Sequence, residues 1–161
     1  MALTPLLPPG YSQLEDSCVQ PLSDLARRNL MIETDVLCAM ALGLGIEDLI
    51  SIYTVQFPVA RQYERQTYYD RKGMIVFTVS KGLTGVGFPR RGSGRGTSKT
   101  TGWEDIAAQK TGTVSRTFLD DTLPDGPLER TVTYEAPFER CNRVEDYRIA
   151  WEFFQKAGIG A

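Results

Sequence analysis

The spacing of apolar residues changes several times along this chain, and each change marks a new predicted element. The first 21 residues hold four of the nine prolines and keep no steady period, which predicts an extended Pro-rich arm over 1–21, docking on its own domain or on a partner. From Ser23 the pattern turns helical. Ser23 is a good N-cap with Asp24 in the first turn, and Leu25, Ala26, Leu30, Leu37, Cys38 and Ala41 recur at three- and four-residue spacing until Gly43 and Gly45. A second helix is predicted from Ile46, with Glu47 and Asp48 in its first turn, to about Gln56. Pro58 suits the first position of a third, through Glu64.

At Tyr68 the texture becomes β. Tyr68-Tyr69, the turn Asp70-Arg71-Lys72-Gly73 and Met74 to Val79 predict a hairpin. Lys81 to Gly102 is rich in Gly, Ser, Thr and Arg and is longer than an ordinary connection, the kind of loop that is usually functional or disordered. A short amphipathic segment, Trp103 to Ala108, follows. Gly112–Phe118 and Leu128–Tyr134, joined through Pro124-Asp125-Gly126, predict a second hairpin. The last helix opens on Asn142 with Glu145 three residues on and closes near Gly158; Val144, Tyr147, Trp151 and Phe154 form a stripe on it that reads as core.

The expected fold class is therefore α+β. N-terminal helices precede two β-hairpins forming a small antiparallel sheet, with the C-terminal helix packed on it, as a single domain over 22–161 carrying a basic Gly/Arg-rich loop at 81–102. A chain of 161 residues suits one domain.

Composition removes whole classes of chemistry. There is no histidine, so His-based triads, proton shuttles and imidazole metal sites are excluded. Cys18, Cys38 and Cys141 have neither redox nor zinc-ligand spacing and read as buried or inert thiols of a reducing compartment. The N-terminus lacks the basic region of a signal peptide, and the longest mostly apolar run, Val36 to Leu44, falls far short of the roughly 20 residues that span a bilayer. A soluble cytoplasmic protein with no membrane partner is expected.

The net charge of −2 conceals a strong asymmetry. Residues 1–70 carry four basic and nine acidic side chains (−5), and residues 104–161 carry seven and eleven (−4). Between them Arg71, Lys72, Lys81, Arg90, Arg91, Arg95 and Lys99 meet no carboxylate at all, a block of +7. Glycine spacing leaves these cations able to reach phosphate oxygens, so all seven are candidate nucleic-acid contacts. Tyr68, Tyr69, Phe77, Phe88 and Trp103 flank them as rings that could stack or brace, with Tyr68, Tyr69, Phe88 and Trp103 the candidate stacking residues. The alternative reading is a solvated loop pairing with the protein's own acidic surface or with an acidic partner protein.

Familiar catalytic signatures fail on spacing. Counting back from Lys99, a phosphate loop needs glycine where Ser93 and Ser98 stand. The third glycine of a dinucleotide fingerprint begun at Gly85 and Gly87 would fall on Arg90. Asp120-Asp121 and Glu145-Asp146 lack a convergent partner, and no serine sits in a G-x-S-x-G elbow. No catalytic residue, metal or cofactor is expected.

Several stretches nevertheless resemble one family. They are Leu49 to Val59 with Gln62-Tyr63-Glu64, then Tyr69-Asp70, Ile75 to Thr78, Lys81-Gly82-Leu83, Gly85-Val86-Gly87, Gly102 to Asp105, Arg130 to Tyr134, Ala136 to Cys141 and Asp146 to Trp151. Together they are similar to the C-terminal region of large actinobacterial class I SAM-dependent DNA methyltransferases of the restriction-modification and phage-defence kind. The resemblance runs from about Leu22 to Phe154. The SAM-binding glycine motif and the N-P-P-Y-type catalytic motif of those enzymes are both missing here. The resemblance thus implies a bacterial, non-catalytic module beyond the methyltransferase core. Three forms stay open: a separate terminal module that helps hold DNA, an interaction module docking to the methyltransferase or another defence-complex subunit, or a piece of a longer chain. Base extrusion from duplex DNA needs backbone contacts, which an accessory basic module supplies.

Overall fold

A computed structural model describes residues 22–79, 86–92 and 101–159. The expectations for the arm over 1–21 and for Lys81, Arg95 and Lys99 lie outside these residues. In chain order the described elements are α1 (Asp24–Ala41), α2 (Ile46–Gln56), α3 (Pro58–Arg65), β1 (Tyr68–Tyr69), β2 (Ile75–Phe77), α4 (Trp103–Ile106), β3 (Thr113–Asp120), β4 (Leu128–Glu135) and α5 (Arg143–Lys156). The class is mixed α+β, with helices at the N-terminal side and a C-terminal helix. The chain divides into two compact units, Met1–Pro58 with Asn142–Ala161, and Val59–Cys141.

The first unit is helical, and each helix start is built as its sequence directs. Ser23 Oγ accepts the N–H of Ala26 at 3.2 Å, Asp48 Oδ2 accepts that of Gly45 at 2.9 Å, and Asn142 Oδ1 accepts that of Val144 at 3.2 Å. These bonds satisfy donors that a helix start leaves unpaired. Ile32, Val36 and Ala39 of α1, Leu49 of α2, and Tyr147, Ala150 and Phe154 of α5 form one core cluster. Polar contacts lock the same helices together. Asp35 Oδ2 accepts Tyr147 Oη–H at 2.6 Å and Arg143 Nη1–H at 3.1 Å, and the Arg143 guanidinium lies 5.4 Å from the Tyr53 ring centroid and 5.6 Å from that of Tyr147.

This packing corrects two expectations, the packing partner of α5 and the burial of Cys38. The α5 stripe is core as predicted at Tyr147 and Phe154, yet its partners are α1 and α2 and not a sheet. On α1 the buried stripe is Ile32, Val36 and Ala39, whereas Leu37, Cys38 and Ala41 are exposed. Apolar side chains occur all round this helix, so spacing alone admits two stripes, and the one facing Leu49 and Tyr147 is the one covered. Cys38, expected to be buried or inert, is exposed for the same reason.

The second unit holds the strands. β1 and β2 pair antiparallel with a register irregularity between Tyr68 and Tyr69, and β3 pairs with β4 in unbroken register from Thr113↔Glu135 to Asp120↔Leu128. They are two separate two-stranded sheets, not the single sheet expected. The reason is visible at Glu135, whose N–H donates to Asp70 Oδ2 at 3.1 Å and whose C=O accepts from Arg71 N–H at 3.0 Å. A side chain and a turn amide occupy the groups that a continuing ladder would use. Asp70 also accepts the N–H groups of Lys72 (2.9 Å) and Met74 (2.8 Å), so one buried carboxylate closes the first hairpin and ties it to the second. The core of this unit is Val76, Phe77, Phe88, Trp103, Ile106, Tyr134, Ala136 and Phe138. Among the described residues, no helix is long and apolar enough to cross a membrane.

Candidate nucleic-acid interface

Within the acid-free segment, Phe88 to Arg91 and Gly102-Trp103 meet at a tightly built neck. Phe88 N–H donates to Val76 O at 2.6 Å and Trp103 N–H to Pro89 O at 2.8 Å. Gly102 packs directly on Arg91, since a Cβ built there would stand 2.7 Å from the Arg91 backbone nitrogen. The chain leaves the described residues after Gly92 and re-enters at Thr101, next to its point of departure.

Carboxylates brace that neck. Glu104 Oε2 accepts the Arg91 N–H at 2.8 Å, Asp105 Oδ2 accepts the Gly102 N–H at 2.9 Å, and the Arg91 guanidinium is ion-paired with Asp105 Oδ1. Both acids are held below the ordinary carboxylate range. For Glu104 the first cause is the Arg91 N–H; for Asp105 it is the Gly102 N–H, then the Arg91 side chain. Arg91 is thus engaged within the fold. The two acids begin the block that follows the basic one, which is why arithmetic along the chain separates groups that touch in space.

Arg71 and Lys72 lie elsewhere, in the turn of the first hairpin. Arg71 Nη1 stands 3.6 Å from Glu135 Oε1, and Lys72 is exposed. Arg90 is exposed, with its guanidinium carbon 5.8 Å from the Phe77 ring centroid and Nη2 donating to Gln66 Oε1 at 3.3 Å. Within the described residues the segment's cations thus have different partners: Glu135 for Arg71, Gln66 and the Phe77 ring for Arg90, and Asp105 for Arg91.

The candidate stacking rings are mostly core. Tyr69, Phe88 and Trp103 are 8%, 3% and 7% exposed, so they brace the fold and offer no open face to a base. Tyr68 is half-buried. Its ring centroid lies 4.6 Å from that of Trp103, and Trp103 stacks on Phe77 at 5.0 Å with an interplanar angle of 11°. Alternating burial alone could not separate bracing from stacking in a loop-rich stretch.

Arg140, which the block arithmetic passed over, lies at these rings. Arg140 places its guanidinium carbon 5.5 Å from the Tyr68 ring centroid and donates from Nη1 to Arg65 O at 3.4 Å. Arg65 is exposed in the last turn of α3, one residue before Gln66. Both fall in blocks of net negative charge. The only local hint was an arginine near each arm of the first hairpin and its bridging segment, Tyr69↔Glu139.

Other acids settle into structural roles. Asp120 accepts from Thr122 Oγ1–H at 2.6 Å and from Arg130 Nη1–H at 2.9 Å, which lowers its pKa, and Asp146 pairs with Arg28. No family model, no curated protein and no solved structure matches this chain.

Proposed function

We propose that this chain is a non-catalytic, DNA-contacting and target-recognition accessory module of a bacterial DNA adenine methyltransferase or phage-defence system, acting in the cytoplasm beside a larger catalytic subunit. The observation that carries the reading is the block from Arg71 to Trp103, seven cations and no acid in an otherwise acidic chain. The resemblance to the C-terminal region of class I SAM-dependent DNA methyltransferases supports it. Phosphate contacts of this type give affinity and orientation but little sequence information.

The test is binding of labelled duplex DNA at about 50 and 200 mM salt. Binding at low salt that weakens steeply at the higher concentration, and that is lost when Lys81, Arg95 and Lys99 are changed together to Gln, is the expected result. Absence of binding at low salt, or binding unaffected by the triple change, overturns the reading.

A second reading, a module that docks on a larger partner without touching DNA, is favoured by one observation. Ile52, Val55 and Phe57 of α2 and its C-cap are all exposed apolar side chains. On that reading Val55→Ser abolishes association with a co-expressed methyltransferase subunit, while the triple change has no effect on it.

A further inference from the structure

The outer face of α1 is apolar for three turns. Met31, Leu37 and Leu42 are 56%, 37% and 76% exposed, and Thr34, Cys38 and Ala41 are exposed with them. On a helix these six fall within one arc of roughly 140°, and no charged side chain interrupts it. Thr34 offers its methyl group there, because its hydroxyl donates to Leu30 O at 2.8 Å. The core takes Ile32, Val36 and Ala39 from the other side of the same helix and leaves this face to water.

The spacing says what kind of surface fits it. Arg27, Met31, Thr34, Cys38 and Ala41 follow one another at alternating intervals of four and three residues, the narrow seam along which two helices pair. Thr34, Cys38 and Ala41 are small, so a second helix can approach closely. The two ends of the seam differ in charge. Arg27 is exposed at its start and makes no ion pair among the described residues, whereas the last turn of α1 holds no basic residue and is followed by the exposed acids Glu47 and Asp48 of α2. The C-terminus of a helix carries partial negative charge of its own. An antiparallel copy of α1 answers both ends at once. The register that sets Thr34 level with Cys38 of the other copy sets Met31 level with the small Ala41 and brings Arg27 to the C-terminal end of the other helix.

We infer that α1 is a self-association surface, through which two copies of this chain pair as antiparallel helices about a two-fold axis midway between Thr34 and Cys38. Such a contact is isologous, so the packing of Met31 on Ala41 and the approach of Arg27 to a helix end each occur twice. One helix face is smaller than the roughly 800 Å² per partner of a stable complex, so the dimer is weak and forms at high concentration. The pairing lies wholly in the helical unit. It uses neither the acid-free segment nor Ile52, Val55 and Phe57, and it stands or falls apart from the DNA-contacting reading.

Sedimentation equilibrium of the full chain from about 5 to about 500 µM tests it. The mass of the unmodified chain is expected to rise from 18.0 kDa toward twice that value. Cys38→Glu places a charge on each side of the axis and is expected to weaken association roughly tenfold or more, while Val55→Glu on α2 leaves it unchanged. Both positions are exposed, and unchanged thermal unfolding at low concentration checks the fold. Thr34→Cys tests the register, since oxidation of the associated protein should link position 34 of one copy to Cys38 of the other, as read by mass spectrometry of the linked peptides. A chain that stays monomeric throughout, or a Cys38→Glu variant that associates as well as the unmodified chain, overturns the proposal. An equal loss in Val55→Glu also overturns it, because added negative charge then explains the effect. Dimers that form without the link between positions 34 and 38 overturn the antiparallel pairing.

Discussion

Arg28 Nη1 lies 2.8 Å from Asp146 Oδ2, joining the N-terminal ends of α1 and α5 by an ion pair whose arginine is only 6% exposed. Removing one partner leaves a buried charge without its counter-ion, which costs more than the intact pair contributes. Asp146→Asn is expected to lower unfolding stability by about 3 kcal/mol. The paired change Arg28→Met/Asp146→Leu should recover most of the loss. Urea denaturation of the three proteins measures both, and a double variant as unstable as Asp146→Asn would show that the arginine stem, not its charge, holds the helices.

Glu33 gives the helical unit a pH dependence of definite sign. Its side chain is buried in α1 with Oε1 lacking a hydrogen-bond partner, and burial raises its pKa above the ordinary carboxylate range. The folded state therefore holds this proton more tightly than the unfolded state. Its contribution is intact below the unfolded pKa and is lost as pH rises through the folded one. Glu33→Gln should raise the denaturation midpoint at neutral pH and leave it nearly unchanged at acid pH. A lower midpoint at pH 7 would mean that the ionised carboxylate is stabilising.

Tyr147 acts at the opposite end of the pH scale. Burial, then the hydrogen bond it donates to Asp35, pushes its phenol up to about 12. The folded state again retains the proton longer, so the contribution is complete below pH about 10 and disappears as pH rises toward 12. Tyr147→Phe is expected to cost about 1–2 kcal/mol at neutral pH, the loss of a hydrogen bond to a charged acceptor. It should also flatten the alkaline decline. Ultraviolet titration of tyrosine in both proteins, alongside unfolding curves, checks the assignment.

The neck depends on Gly87. Its φ is +62°, in the left-handed region, and a Cβ there would stand 2.3 Å from the Val76 carbonyl oxygen. Its N–H donates to Tyr134 Oη at 3.2 Å and its carbonyl accepts from the half-buried Arg116. Gly87→Ala must displace backbone, and a loss of more than about 2 kcal/mol is expected from strain and clash together. Amide exchange should then quicken at Phe88 and Trp103, whose bonds close the neck, before it does in the helical unit.

What the chain reveals of itself follows the range of each interaction. Helix starts at Ser23, Ile46, Pro58 and Asn142, and the turns at Gly73 and Gly126, are decided by neighbours within four residues, and the folded protein has them where the pattern put them. The packing partner of α5, the separation of the two hairpins and the choice between two stripes on α1 depend on residues dozens of positions apart. Local spacing is silent about these. The candidate site divides the same way: the acid-free block is a property of consecutive residues, whereas Arg140 reaches Tyr68 only through the bridge between Tyr69 and Glu139. Burial of Phe88 and Trp103 changes their expected role for the same long-range reason.

Two valines in the helical unit test which stripe is load and which is surface. Val36 of α1 is fully covered, at 0% exposed, among Ile32, Leu49 and Tyr147, while Val55 of α2 is 70% exposed. Truncating the first opens a cavity in a packed core and removes dispersion contacts on every side. Truncating the second changes little that the folded state does not already leave to water. Val36→Ala is expected to cost roughly 2 kcal/mol and Val55→Ala less than about 0.5 kcal/mol, measured by urea denaturation of the full chain. A comparable loss at both sites would mean that Val55 is covered in solution, and a concentration-dependent midpoint in the unmodified protein would then identify the cover as a second copy of the chain.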